Sequence, residues 1–311
     1  MAKVAVVGSS NTDMVVRVPH IPSPGETVLG GEFVMAAGGK GANQAVAAAR
    51  LGAQVTLVAR VGQDVFGERA LAGFRQEGIA TQYITVDPEA ASGVALIFVD
   101  RSGENSIAVA PGANARLTPQ DVQRAQKAIE EADVLLLQLE TPLETVQRAA
   151  EIAQRAGVRV VLNPAPAPPQ PLPADLLTLV DVLTPNEGEA SLLAGRQIAQ
   201  ATTLTDAETA ARCLIEQGVK VVIVTLGARG ALIVTSDFQQ LVPGFAVDVV
   251  DTTAAGDAFN GGLAVALAEG QTLADAVRFA NACGALAATK MGAQPSLPTA
   301  EEVARFLAAR R

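Results

Sequence analysis

The 311 residues include one histidine, His20, and two cysteines, Cys213 and Cys283. A single imidazole in a proline-flanked turn supports neither a zinc-type histidine cluster nor a Ser/His triad. Two thiols, each inside an apolar pattern of helical period, give no disulfide framework and fit a reducing compartment. No apolar run is long enough to span a bilayer, and the run at 4–7 after Met1 is too short for the core of a signal sequence. The expectation is a soluble, cytoplasmic protein with no membrane partner. Basic residues are the minority, 23 against 32 acidic for a net charge of −9, which argues against a nucleic-acid partner as well. What remains for chemistry is carboxylate, lysine and backbone groups.

What is present in quantity is apolar sequence, 49% of the chain, enough for a large core. Strand-like runs at 4–7, 55–61, 134–139, 158–162, 182–184 and 219–225 alternate with helical patterns at 42–51, 66–77, 119–131, 143–156, 186–193 and 206–217. Such alternation predicts an α/β fold, a three-layer αβα sandwich around a mostly parallel central sheet. Later come strands at 231–235 and 246–250 and helices near 256–269, 273–288 and 300–309, so an antiparallel sheet edge is expected. Segments 11–36 and 92–110 break the alternation with strand-like runs at 14–18, 32–35, 94–100 and 106–110 and no helix. They read either as plain surface hairpins or as a small β-sheet lid that excludes water from a reactive donor. The chain 1–311 is thus one domain with two lid segments. Proline-rich 163–173 reads as a stiff surface connection.

The run Asp251-Thr-Thr-Ala-Ala-Gly-Asp257 joins the 246–250 strand to a helix rich in alanine and leucine. Unpaired N–H groups on a first helical turn hold anions. A carboxylate among them is suited to take a proton from a hydroxyl that attacks a phosphate, although Asp257 also serves as an ordinary helix cap. Gly38-Gly-Lys-Gly-Ala-Asn43 opens another helix; its glycines give a ligand access to the backbone, and Lys40 and Asn43 offer polar contacts unless Lys40 is simply solvated. It is no Walker loop, since Gly41 stands where that motif needs a hydroxyl. Asn11 and Asp13 follow the first strand and Glu140 follows the run 134–139; each is a ligand contact, a turn residue or a loop charge. Asn186 and Glu189 have the spacing of a capping box, and Thr225-Leu-Gly-Ala-Arg-Gly230 suits either a nucleotide or a tight turn. All these clusters fall at the carboxyl edge of predicted strands, where open α/β sheets bind ligands.

With these two motifs the chain resembles the phosphofructokinase B-type sugar kinases over essentially its whole length. The resemblance implies ATP-dependent phosphorylation of D-ribose at its 5-hydroxyl. Asp257 would be the base, and Ala254, Ala255 and Gly256 would form the anion hole. The sugar would meet Asn11, Thr12, Asp13, Gly38, Gly39, Lys40, Gly41, Asn43, Glu140 and Asp257. ATP would meet Asn186, Glu189, Thr225, Leu226, Gly227, Ala228, Arg229, Gly230, Gly256 and Asn281, with Mg²⁺ bridging the donor phosphates. An activating K⁺ would fall on Asp251 and Thr253, with Ala287, Lys290, Gly292 and Ser296 closing its loop, and the lid would pair a homodimer. Many members carry glycine where Ala254 stands; the methyl group matters only if that residue takes positive φ. Other acceptors within the class are 2-deoxyribose, fructose, a keto-deoxy sugar acid or a nucleoside. Outside it stand an inert sugar-binding regulator, disfavoured by the intact Asp257 and Gly256, and a dinucleotide-dependent oxidoreductase. For the latter, Gly8-Ser-Ser-Asn-Thr-Asp13 lacks the second and third glycines of the fingerprint.

Overall fold

Strand β1 (Lys3–Val7) shows how the chain builds its layers: Val4 and Val6 pack into one helical layer, Ala5 and Val7 into the other. A strand buried on both faces has no polar alternation to display. The computed structural model describes residues 1–168, 170–195 and 203–310. After β1 come β2 (Asn11–Arg17), β3 (Phe33–Gly38), α1 (Lys40–Arg50), β4 (Gln54–Gly62), α2 (Val65–Gln76), β5 (Ile84–Asp87), β6 (Gly93–Val99) and β7 (Asn105–Ala110). The middle of the chain forms α3 (Pro119–Arg124), α4 (Gln126–Glu130), β8 (Val134–Leu137), α5 (Leu143–Ala156), β9 (Arg159–Leu162), α6 (Ala174–Leu177) and β10 (Val182–Leu183). The last part forms α7 (Glu187–Leu193), α8 (Leu204–Glu216), β11 (Val221–Thr225), β12 (Gly230–Val234), β13 (Gln239–Pro243), α9 (Ala255–Ala268), α10 (Leu273–Ala287) and α11 (Ala300–Ala308).

Among the described residues the main sheet runs β13-β12-β11-β10-β9-β8-β1-β4-β5, parallel from β11 to β5 and antiparallel at the β12 and β13 edge. The three-layer sandwich with an antiparallel edge is therefore the observed architecture. Residues of α1, α9 and α10 cover one face, and residues of α5, α6 and α8 cover the other. The chain builds outward from β1 through β4 to β5, then returns to the other side of β1 at β8. That reversal opens a crevice at the carboxyl ends of β1 and β8.

Four strands, β3-β2-β6-β7, form a second, smaller sheet in which β2 and β6 run parallel and the outer pairs antiparallel. The chain enters it at Ser10, and Asn114 stitches that entry down: its Oδ1 accepts from the Ser10 amide at 2.8 Å and its Nδ2 donates to Asn11 Oδ1 at 2.7 Å. The pairing register puts Val34, Ile107 and Val109 on the face that carries Asp13, and Phe33, Met35 and Leu96 on the opposite face. All six are exposed.

Three expectations are corrected. Residues 246–250 form no strand; the last strand of the sheet is β13, and Val249 and Val250 are exposed beside a cleft. The helix expected over 119–131 breaks at Ala125 into α3 and α4. The 163–173 connection is not all surface, since Asn163, Ala165 and Leu172 are buried; residue 169 lies outside the described residues.

Candidate functional site

Two helices point their amino ends at the crevice, and the difference between them decides what each can hold. At α1 the first amides are already committed. Lys40 N donates to Glu140 Oε2 at 2.9 Å, Ala42 N donates to Ser9 O at 2.8 Å, and Ser9 Oγ donates to the same Glu140 oxygen at 2.5 Å. This end of α1 is filled by the protein's own carboxylate. Its glycines are required by close packing: a Cβ on Gly41 would sit 2.5 Å from Ser9 N, and one on Gly38 would sit 2.2 Å from Asp13 Oδ2. At α9 only Ala255 N is engaged, with Thr252 O at 3.2 Å. The amides of Ala254, Gly256 and Asp257 meet no acceptor among the described residues, and a Cβ on Gly256 would touch nothing within 4 Å. An anion belongs at α9.

Asp257, on the first turn of α9, is buried. Asn43 Nδ2 donates to its Oδ2 at 2.9 Å and Gln44 Nε2 to its Oδ1 at 3.0 Å. Burial pushes its carboxyl above the ordinary aspartate range, against the pull of Lys40 and the two amides. Asp13, on the inner face of β2, is raised to about 6, first by burial and then by Glu140 and Asp257. Lys40 loses solvent too, which favours its neutral form, but Asp257, Glu140, Glu189 and Asp13 outweigh that loss and hold it protonated more firmly than a free lysine. Four carboxylates therefore share one ammonium. Lys40 is not the solvated side chain that its glycine-rich surroundings allowed, and Asp13 is a strand residue, not a turn.

The buried Oδ1 of Asn43 has no partner, an acceptor free for a ligand hydroxyl. Asn11 and Thr12 are placed otherwise: Asn11 Oδ1 is taken by Asn114, and Thr12 lies on the face of β2 opposite Asp13. Gly39 is the residue before α1, with φ of +88°.

On the other side of α9 lies a cleft of about 420 Å³, mostly apolar, lined among others by Thr225, Gly227, Ala228, Gly230, Phe245, Gly256 and Asn281. Leu226 is buried in the core below it, and Arg229 pairs with Glu187. Asn281 spends its amide on the carbonyls of Val242 and Pro243, at 3.1 and 3.2 Å, so it shapes the cleft wall as well as bordering it. Asn186 and Glu189 close a reciprocal capping box on α7, with both bonds at 2.8 Å. Burial raises the Glu189 carboxyl even so.

Before α9, Asp251 Oδ1 accepts from Thr253 N and Thr253 Oγ1 at 2.9 and 2.7 Å, and Oδ2 accepts from Gly292 N at 2.8 Å. Despite partial burial, these bonds hold its carboxyl below the usual range. Lys290 turns to Glu302 at 2.6 Å, the Ala287 carbonyl accepts from Lys290 N, and the buried Ser296 hydroxyl donates to Ala293 O at 2.8 Å. Carboxylate, hydroxyl and carbonyl oxygens make a hard donor set of the kind alkali cations prefer. Ala254, which follows this loop, has φ of +58° and is the one residue other than glycine with positive φ among the described residues. The condition under which its methyl group matters is met.

Gln44, Gln138, Asn163, Thr184 and Asn260 were not anticipated, yet they form the buried polar backing of Asp257. The only trace of them in the chain is a polar residue inside or at the end of an apolar run, a pattern too common to single them out.

The family described as pfkB family carbohydrate kinase matches residues 1–300. A ribokinase of Haemophilus influenzae is 46% identical over 302 residues, covering 97% of each chain. A structure described as Arabidopsis thaliana ribokinase complexed with ribose and ATP superposes with a TM-score of 0.89 at 33% identity over 99% of both chains. The phosphofructokinase-2 of Escherichia coli in complex with potassium superposes with a TM-score of 0.79 at 25% identity over the full length of both.

Proposed function

The chain belongs to the pfkB family of carbohydrate kinases, and we propose that it transfers the terminal phosphoryl group of ATP to the 5-hydroxyl of D-ribose, with Asp257 as the base. One observation carries this reading. Gly256 faces the apolar cleft while its neighbour Asp257 is bonded among Asn43, Gln44 and the Lys40 cluster, so a single peptide unit separates a nucleotide-sized space from a hydroxyl-binding one. Asp13, Lys40, the free Asn43 Oδ1 and the Glu140 that braces them are the groups we assign to the sugar. The free amides of Ala254, Gly256 and Asp257 are suited to the charge that develops on the transferred group. A buried carboxylate of raised pKa is a stronger base than a solvated one, and it receives the proton late, when the attacking oxygen is already bonding to phosphorus.

Mg²⁺ would be held chiefly by the donor phosphates, near Asn186 and Glu189, and would neutralise phosphate charge there. K⁺ would sit on the oxygens of the loop from Asp251 and Thr253 to Ser296, next to the anion hole. We read the smaller sheet as a lid over the sugar. Its exposed Phe33, Met35 and Leu96, on the face away from Asp13, support a homodimer formed through it. The reading also places the enzyme in the cytoplasm. Among the described residues no helix is long and apolar enough to cross a membrane.

The test is ADP release with D-ribose, 2-deoxyribose, fructose and a nucleoside as acceptors, each with and without KCl. D-Ribose should give the highest kcat/KM and KCl should raise it. A higher value for another acceptor reassigns the substrate, and indifference to KCl removes the cation site.

A further inference from the structure

Gln44 is fully buried in a helix otherwise rich in alanine, and all of its polar atoms are in use. Its Nε2 donates to Asp257 Oδ1 at 3.0 Å and to Asn163 Oδ1 at 3.1 Å, while its Oε1 accepts from Gln138 Nε2 at 2.6 Å. These partners fix which way the amide faces, because a flip would set nitrogen against nitrogen and oxygen against two acceptors. The bonds then continue. Asn163 Nδ2 donates to Thr184 O at 3.0 Å, Thr184 Oγ1 donates to Asn260 Oδ1 at 2.6 Å, and Asn260 Nδ2 donates to Gly256 O at 2.8 Å. A path that leaves the carboxylate of Asp257 thus returns to the residue before it, by way of Gln44 on α1, residues at the ends of β9 and β10, and Asn260 on α9, with Gln138 at the end of β8 joined to it as a branch.

We infer that Gln44 is a positioning residue for phosphoryl transfer: through this ring it holds the Asp257 carboxylate in fixed relation to the free amides of the first turn of α9. The inference rests on Asp257 acting as the base. Asn43 holds one carboxylate oxygen and Gln44 the other, so rotation of the carboxylate breaks both bonds. The charged groups facing Asp257 are Lys40 from α1, Glu140 from the loop after β8, Asp13 from β2 and Glu189 from α7. Three anions against one cation leave the ionised form dependent on its amide donors. Loss of the Gln44 donor raises the carboxyl pKa, so less of the base is ionised at a given pH. The acid limb of kcat then moves to higher pH, and the deficit is largest in acid and shrinks as pH rises.

The experiment compares full-length wild type, Gln44→Leu, Gln138→Leu and Asp257→Asn by ADP release on D-ribose across a pH series, with a thermal melt of each. For Gln44→Leu the expected kcat is lower by roughly 10- to 100-fold, the cost of a small misplacement at a reacting centre. Its ribose KM stays within about threefold and its acid limb is displaced upward. Gln138→Leu touches Gln44 but not Asp257, so it shows the same displacement to a smaller extent, and it carries the test if Gln44→Leu does not fold. A Gln44→Leu enzyme with wild-type kcat and pH profile, or with a deficit equal at every pH, overturns the inference and leaves the base intact if Asp257→Asn is inactive. An active Asp257→Asn removes the base and this inference with it.

Discussion

Asp87 and Asp257 are both hidden from solvent, and they have been given opposite surroundings. Asp87 receives the amides of Glu89 and Ala90 at 2.9 Å each on one oxygen, and the guanidinium groups of Arg60 and Arg116 at 2.8 and 3.2 Å on the other. Those amides, with Arg60, hold it at about 2. Asp257 has two neutral side-chain amides, one lysine shared with three other carboxylates, and a raised pKa. The first carboxylate is a strut, tying β5 to β4 through direct guanidinium contacts and two backbone amides. The second is left short of compensation, an arrangement that suits the base we propose it to be. Burial alone therefore says little about the role of an acid; the balance of donors around it says more.

That contrast can be broken at either end. The largest effect is expected for Asp257→Asn: kcat on D-ribose should fall by roughly 10²- to 10⁴-fold while the melting temperature holds or rises, since a neutral amide is easier to bury. An equal loss of stability in Asp257→Asn and Asp87→Asn would erase the distinction. Asp87→Asn should take away the carboxylate that Arg60 and Arg116 share, leaving Arg60 with Asp121 and Arg116 with Glu89, and lower Tm by about 2–5 °C, with turnover of the folded fraction unchanged. Asp13 sharpens the comparison through pH. Its folded-state pKa of about 6 lies above the ordinary aspartate value of 3.8, so the native state binds the proton more tightly, and the resulting stability is present below pH 3.8 and lost as pH rises through 6. Asp13→Asn should thus be more stable than wild type by about 1–3 kcal/mol at neutral pH, with the difference closing in acid, and should raise the ribose KM. Denaturant melts at two pH values check the sign. The smallest effect belongs to Ala254→Gly. The left-handed backbone costs alanine about 1 kcal/mol, and the added freedom of glycine in the unfolded chain offsets part of that relief, so stability should change by less than about 1 kcal/mol.

Much of this was legible in the chain. Strands such as β8, with four consecutive buried apolar residues, announce a sheet covered on both sides, and the carboxylates at their ends stand out against such runs. The last sheet strand was not legible. Residues 246–250 carry three valines and look like a strand, but propensity does not supply a neighbour to pair with. The true edge strand, β13, is mostly exposed and contains two glutamines and a proline. Strand β5 escaped notice because it is four residues long at the opposite edge. At the site, Asp257, Lys40 and Asp13 could be named from position, whereas Gln44 and Asn163 could not be told from chance polar residues. Their meaning lies in partners distant in the chain.

Gln44 and Asp257 are separated by 213 positions, and helices α1 and α9, which carry them, pack directly on each other. In a chain emerging from the ribosome, the pairing of α1 with α9, and with it this site, stays unfinished until α9 has been made. Polypeptides cut short by stalled translation or by proteolysis upstream of that helix would be inert toward nucleotide, so an incomplete product could not waste it.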